Sequence, residues 1–160
     1  MSDFKALYLA DYAPADFTVT RVDLTFTLDD KATEVVSETL YQKVDAKQAG
    51  ELVLMGEQLT LKAVYLDGVL LTADQYQQTD TELVIANALL PEQFSLKVIT
   101  QINPADNTSL EGLFKSGDAY CSQCEAEGFR RITYYLDRPD VMAIFTTKVI
   151  GDKKQLPYLL

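Results

Sequence analysis

Between Phe17 and Leu28 the character of the side chain changes at every step. Val22, Leu24, Phe26 and Leu28 fall on one side of an extended chain, Thr18 and Thr20 precede them in the same phase, and Arg21, Asp23, Thr25 and Thr27 occupy the other side. A period of two is the signature of a half-buried strand, and the β-branched residues in the run support it. After the Asp29-Asp30-Lys31 turn a second run, Thr33 to Lys43, sets Val36 and Leu40 against Val35, Thr39 and Tyr41, so the two runs predict a hairpin.

Further short runs follow at Glu51–Met55, Leu59–Leu66, Gln75–Gln78, Glu82–Ala86 and Phe94–Ile102. Each is set off by turn residues: Gly56, the Asp67-Gly68 pair with strong hairpin chemistry, then Asn87 and Pro91. In the last run Phe94, Leu96, Val98 and Ile102 share a face opposite Ser95, Lys97 and Gln101. About seven short strands without a long amphipathic helix imply an all-β fold, an antiparallel β-sandwich. The Ala46–Leu52 stretch is compatible with a single helical turn. The chain has 160 residues, enough to bury roughly 68–70% of its extended surface around one core, so one domain over residues 1–160 is expected.

The pattern changes after Asn103-Pro104-Ala105-Asp106-Asn107. Strict alternation is absent until Val141–Ile150, which is strand-like. In between, acidic residues precede Arg130 and Arg131, and Ala126, Phe129 and Ile132-Thr133 have helical spacing, so a short helical or irregular insertion is predicted near 125–140, ended by Asp137-Arg138-Pro139-Asp140. Irregular segments on a rigid scaffold are where function concentrates.

Composition removes several chemistries. There is no histidine, so no Ser-His-Asp or Cys-His catalytic group and no H-E-x-x-H zinc site can be assembled from these residues. A formal net charge of −10 opposes nucleic acid and anionic membrane surfaces. The start of the chain lacks the basic and apolar regions of a secretory signal, and no apolar stretch approaches the ~20 residues that span a bilayer. A cytoplasmic setting is expected, in keeping with only two cysteines, Cys121 and Cys124.

Those cysteines form a C-x-x-C pair, but structural zinc needs two further soft ligands that the chain lacks, and a thioredoxin-like role needs a βαβ context and a depressed thiol pKa. Two packed thiols are the expectation. Asn107-Thr108-Ser109 has the form of a glycosylation sequon and is expected to be a polar loop. Paired carboxylates suitable for glycoside hydrolysis fit turns and strand edges equally well. Gln123 and Glu125 lie two apart and project from one side of an extended segment. An ionised carboxylate beside an amide can receive a ligand ammonium group; it can equally be a solvated side chain or pair with Arg130 or Arg131.

Asn103-Pro104, the run Asn107–Phe114 and above all the block Gln123–Val141 closely resemble the N-terminal domain of the bacterial aminopeptidase N family, zinc-dependent gluzincin aminopeptidases. Tyr8–Tyr12, Val22–Phe26 and Phe145–Lys148 are similar to the same family. The resemblance implies a parent enzyme that releases N-terminal residues from peptides, with a saddle-shaped all-β domain covering a thermolysin-like catalytic domain. It implies that Glu125, in the Gln-x-Glu segment, binds the free α-amino group of the substrate and that Gln123 lines the site beside it. The zinc ligands and catalytic glutamate of the family, on an H-E-x-x-H helix, and its Gly-Ala-Met-Glu-Asn loop are not among these residues.

The expectations are therefore specific. No catalytic residue and no metal ligand lies in this chain. Zinc is the cofactor of the parent and is not bound here, and the chain is inactive alone. Its partners are the peptide N-terminus and the catalytic domain of the same polypeptide, with neither nucleic acid nor membrane. The apolar ending Pro157–Leu160 is expected to be a truncation before the natural end of the domain. The alternative is a free-standing cytoplasmic β-sandwich interaction module without catalysis, a fold that serves many functions.

Overall fold

A computed structural model describes residues 8–158. Eleven strands are present: β1 (Phe17–Thr27), β2 (Thr33–Lys43), β3 (Leu52–Met55), β4 (Thr60–Leu66), β5 (Val69–Leu70), β6 (Gln77–Gln78), β7 (Glu82–Ile85), β8 (Gln93–Ile102), β9 (Gly112–Ser116), β10 (Ala119–Gln123) and β11 (Ile144–Ile150). Only short 3-10 turns interrupt them, at Leu9–Asp11, Asn87–Leu89 and Phe129–Arg131. The fold is all-β, as the sequence predicts. Among the described residues no helix is long and apolar enough to cross a membrane.

A six-stranded sheet runs in the order β11-β1-β2-β8-β4-β5, beside a three-stranded sheet β3-β7-β6 and a ribbon β9-β10. All pairings are antiparallel except β1 with β11, which is parallel. One hydrophobic core joins the two larger sheets: Val22 and Leu24 of β1, Val35 of β2, Leu96 and Val98 of β8 are buried together with Leu52, Leu54, Leu83 and Ile85 from the smaller sheet. Tyr135 extends the smaller sheet, exchanging backbone bonds with Met55 (2.8 and 3.0 Å). Its neighbour Tyr134 lies where a side chain on Gly56 would stand, so only glycine fits there.

The predicted β1-β2 hairpin is present, with one change of phase. Phe17 and Val19 are buried and Thr18 and Thr20 are exposed, because the register shifts between Val19 and Arg21. The extra residue of this bulge turns the strand over, so the threonines do not share the face of Val22 and Leu24. In β2 the alternation is unbroken: Thr33, Val35, Ser37, Thr39, Tyr41 and Lys43 face inward, while Leu40 is exposed. Asp67 and Gly68, with φ of +48° and +81°, make the tight β4-β5 turn that their chemistry predicts. The stretch 45–49 closes one turn, with the Gln48 and Ala49 amides donating to the Asp45 carbonyl.

The stretch after Asn107, which shows no strict alternation in the sequence, contains the ribbon β9-β10, and the short helical or irregular insertion expected near 125–140 takes the irregular form, a set of turns with a single 3-10 turn at 129–131. Isolated helices of this length gain too few hydrogen bonds to offset nucleation, so tertiary contacts decide the conformation.

Candidate amine-binding site

Gln123 and Glu125 sit at the exit of the ribbon, and the ribbon is held at both ends. At its base, Asn107 donates through Nδ2 to the carbonyls of Glu111 (2.7 Å) and Leu113 (2.9 Å), which ties the sequon asparagine into the loop. Gly112 opens β9 with φ +70° and pairs in register with Gln123. Near the tip, Asp30 on the β1-β2 turn accepts Lys115 Nζ at 2.9 Å on both oxygens and the Tyr120 hydroxyl at 2.6 Å. The Tyr120 bond, then that of Lys115, holds the Asp30 carboxyl below its ordinary 3.8. Burial and the Asp30 bond push the Tyr120 phenol up.

Beyond Gln123 the chain makes a tight turn. The Gly128 amide donates to the Cys124 carbonyl at 2.9 Å and the Arg131 amide to the Gly128 carbonyl at 3.1 Å. Inside this turn Gln123 Nε2 donates to the Glu125 carbonyl at 3.2 Å, and the Glu125-Ala126 peptide is cis. Glu125 is exposed.

Two arginines fix the segment that follows, and they use every neighbouring acid except Glu125. Arg130 Nε meets Asp137 Oδ2 at 3.0 Å, its NH2 group donates to the Asp137 carbonyl at 3.1 Å, and NH1 reaches Glu127 at 3.4 Å and Glu57 at 3.9 Å. Arg131 bonds Glu57 at 2.9 Å, Glu111 at 3.0 Å and the Gln58 side-chain carbonyl at 2.7 Å. Pairing of Glu125 with Arg130 or Arg131, one of the alternatives open from the sequence, does not occur. Among the described residues Glu125 forms no salt bridge, and its carboxylate accepts no hydrogen bond from another side chain or backbone amide. Glu125 is thus left without a protein partner, and an exposed ionised carboxylate of this kind can accept a charge-assisted hydrogen bond from a cation.

The two thiols are free and partly buried. Burial, then the nearby Asp137 carboxylate, pushes the Cys124 thiol above its ordinary 9.0, the opposite of what a redox dithiol needs. Both cysteines line a hollow of about 1310 Å³ between the ribbon, β1 and β11, walled by Leu24, Phe26, Phe129 and Phe145; Gln123 and Glu125 do not line it. Among the described residues no three His, Cys, Asp or Glu side chains are grouped to hold a metal ion. The Asp30-Lys115-Tyr120 cluster escapes sequence reading, because its members lie 85 and 90 residues apart and no local spacing announces them.

The family profile described as "Peptidase M1 N-terminal domain" matches residues 13–158. Aminopeptidase N of Escherichia coli is 51% identical over 98% of this chain and 17% of its own length. Among solved structures, Legionella pneumophila aminopeptidase A in complex with aspartic acid superposes with a TM-score of 0.86 at 32% identity, covering 95% of this chain and 18% of that one. The M1 zinc metallopeptidase from Deinococcus radiodurans shares the fold, with a TM-score of 0.68 at 18% identity over 84% of this chain and 32% of that one. The chain thus spans less than a fifth of the curated relative's length. The match over almost all of its residues, together with the superposition, establishes that the chain belongs to the Peptidase M1 N-terminal domain family.

Proposed function

We propose that this chain is the amine-anchoring part of a zinc-dependent aminopeptidase that releases N-terminal residues from peptides. It caps the active site, is inactive alone and works with the catalytic domain of the same polypeptide. The observation that carries the reading is the Glu125 carboxylate, which is exposed and unpaired while Glu57, Glu111, Glu127 and Asp137 are all engaged by Arg130 and Arg131. Its relatives support the activity. The similar Escherichia coli protein is an aminopeptidase N, and the Legionella pneumophila enzyme is in complex with aspartic acid, a molecule with a free α-ammonium group.

The chemistry follows from charge. The α-ammonium of a peptide donates to the Glu125 carboxylate in a charge-assisted hydrogen bond, and Gln123, whose Nε2 is committed to the Glu125 carbonyl, offers its Oε1 as a second acceptor. Fixing the ammonium holds the first peptide bond at a set distance from the anchor. An internal peptide bond has no such group and gains nothing, so the anchor selects chain ends. Zinc polarises the scissile carbonyl when bound by the rest of the enzyme. The residues here bind and orient only. A cytoplasmic setting agrees with the two unpaired thiols.

In the full-length enzyme Glu125→Gln replaces the anion by a neutral amide of the same shape. Losing one charge-assisted bond is worth roughly 1.5–3 kcal/mol, so kcat/KM for aminoacyl substrates should fall about ten- to more than a hundredfold. Glu127→Gln, which touches only the already satisfied Arg130, should fall within about threefold of wild type. Unchanged kinetics for Glu125→Gln contradict the anchor.

A further inference from the structure

Gly128 closes the turn that carries Glu125, and its backbone does not call for glycine: φ −86° and ψ −15° suit any residue. The space does. A Cβ at 128 would run into the Gln123 carbonyl oxygen, stand 3.0 Å from the Cys124 Cα and 3.1 Å from the Gly112 amide nitrogen. From the other side, a Cβ on Gly112 would lie 2.8 Å from the Arg131 Cβ and 3.2 Å from the Gly128 carbonyl oxygen. Two glycines therefore cross where β9 begins and β10 ends. The backbones at 112, 123 and 128 pack in direct contact with no side chain between them, and both glycines are buried.

We infer that Gly128 is a positioning residue for the amine anchor: the bare backbone contact sets the height of the 123–126 loop, and with it the Glu125 carboxylate, before any ligand arrives. The inference rests on Glu125 receiving the substrate ammonium. Any side chain at 128 must push the loop away from β9, and a displacement of ~1 Å at a group that orients substrate can cost on the order of a hundredfold in rate. The contact is steric, so it acts at all pH values at which the enzyme is folded.

The test is a double-mutant cycle in the full-length enzyme with Gly128→Ala, Glu125→Gln and the pair. Gly128→Ala should lower kcat/KM for substrates with a free α-amino group tenfold or more, and the same change in the Glu125→Gln background, where only the weaker neutral acceptor Gln123 is displaced, should alter it several-fold less. Equal losses in both backgrounds overturn the inference, because the glycine would then act independently of the carboxylate. A Glu125→Gln enzyme with wild-type kinetics overturns the anchor itself, and the inference with it. Gly117→Asn at the ribbon tip, where a Cβ meets nothing within 4 Å, should stay within about twofold of wild type. A measurement on the unaltered enzyme keeps the inference falsifiable even if Gly128→Ala does not fold. The amides of Gly128 and Arg131, both hydrogen-bonded within the turn, should be protected from hydrogen exchange without ligand. Exchange at free-peptide rates until an amino acid is added contradicts a preformed loop.

Discussion

The β1-β2-β8 sheet and the segment from Asn107 to Arg131 are built on different physics. In the sheet, alternate side chains bury against one core and register follows from which face is apolar, so a slip by one residue would expose Val22, Leu24, Val35, Leu96 and Val98 together. In the segment neither face of β9 or β10 is fully buried, and order comes from charge and close backbone approach: Arg130 and Arg131 gather Glu57, Glu111, Glu127 and Asp137, Asp30 holds the ribbon, and two glycines cross. The first arrangement is insensitive to detail and stable. The second fixes the backbone that carries one exposed carboxylate, and each of its contacts can be removed singly.

That contrast can be broken at either end. The largest effect is expected in the sheet: Leu96→Ala should cost about 2–5 kcal/mol, read by denaturant unfolding of the chain, with loss spread over the whole core. Arg130→Ala comes next. Its guanidinium and the Asp137 carboxylate are only 15% and 10% exposed, so truncation leaves a largely desolvated anion without its partner. A loss of about 1.5–3 kcal/mol is expected, with hydrogen-exchange protection falling first in residues 124–137 and the sheet amides unaffected.

The smallest effect belongs to Asp30→Asn, and it carries a pH signature. The folded carboxyl lies below its ordinary 3.8, chiefly through the Tyr120 bond and then Lys115. A depressed carboxylate pKa stabilises the fold above the unfolded value and loses that contribution as pH falls through the folded one. The stability difference between wild type and Asp30→Asn should therefore be present from pH 5 to 7 and disappear as pH drops below 3.8. Because the carboxylate is half exposed, the difference should also shrink with salt. A difference that grows on acidification, or that salt does not touch, contradicts the clamp.

How much of this was legible in the chain follows the same division. The β1-β2 hairpin, β8 and the Asp67-Gly68 turn are visible because side-chain periodicity and turn chemistry are local. The bulge in β1 is less so. Thr18 and Thr20 continue the phase of Val22, and only the apolar pair Phe17 and Val19, in the opposite phase, hints that the strand turns over. The ribbon is hidden because its strands bury no continuous face, and the insertion near 125–140 stays open between helical and irregular in the sequence because acid-before-base order and the spacing of Ala126, Phe129 and Ile132 fit a helix and a turn held by Arg130 and Gly128 equally well. Glu125 and Gln123 stand out through family resemblance. The feature that singles out Glu125 physically, its exclusion from the arginine network, depends on Glu57 from the β3-β4 loop and Glu111 from the loop before β9.

Recognition of the chain end rests on the Glu125 carboxylate pairing with an ammonium group. The most direct measurement is inhibition of the full-length enzyme by an amino acid product and by its des-amino counterpart, in wild type and in Glu125→Gln. Wild type should bind the amino acid more tightly by roughly ten- to a hundredfold, and Glu125→Gln should bring the ratio of the two constants close to one by weakening the amino acid alone. A ratio that survives the substitution, or a des-amino compound weakened just as much, would place the recognition of the chain end elsewhere.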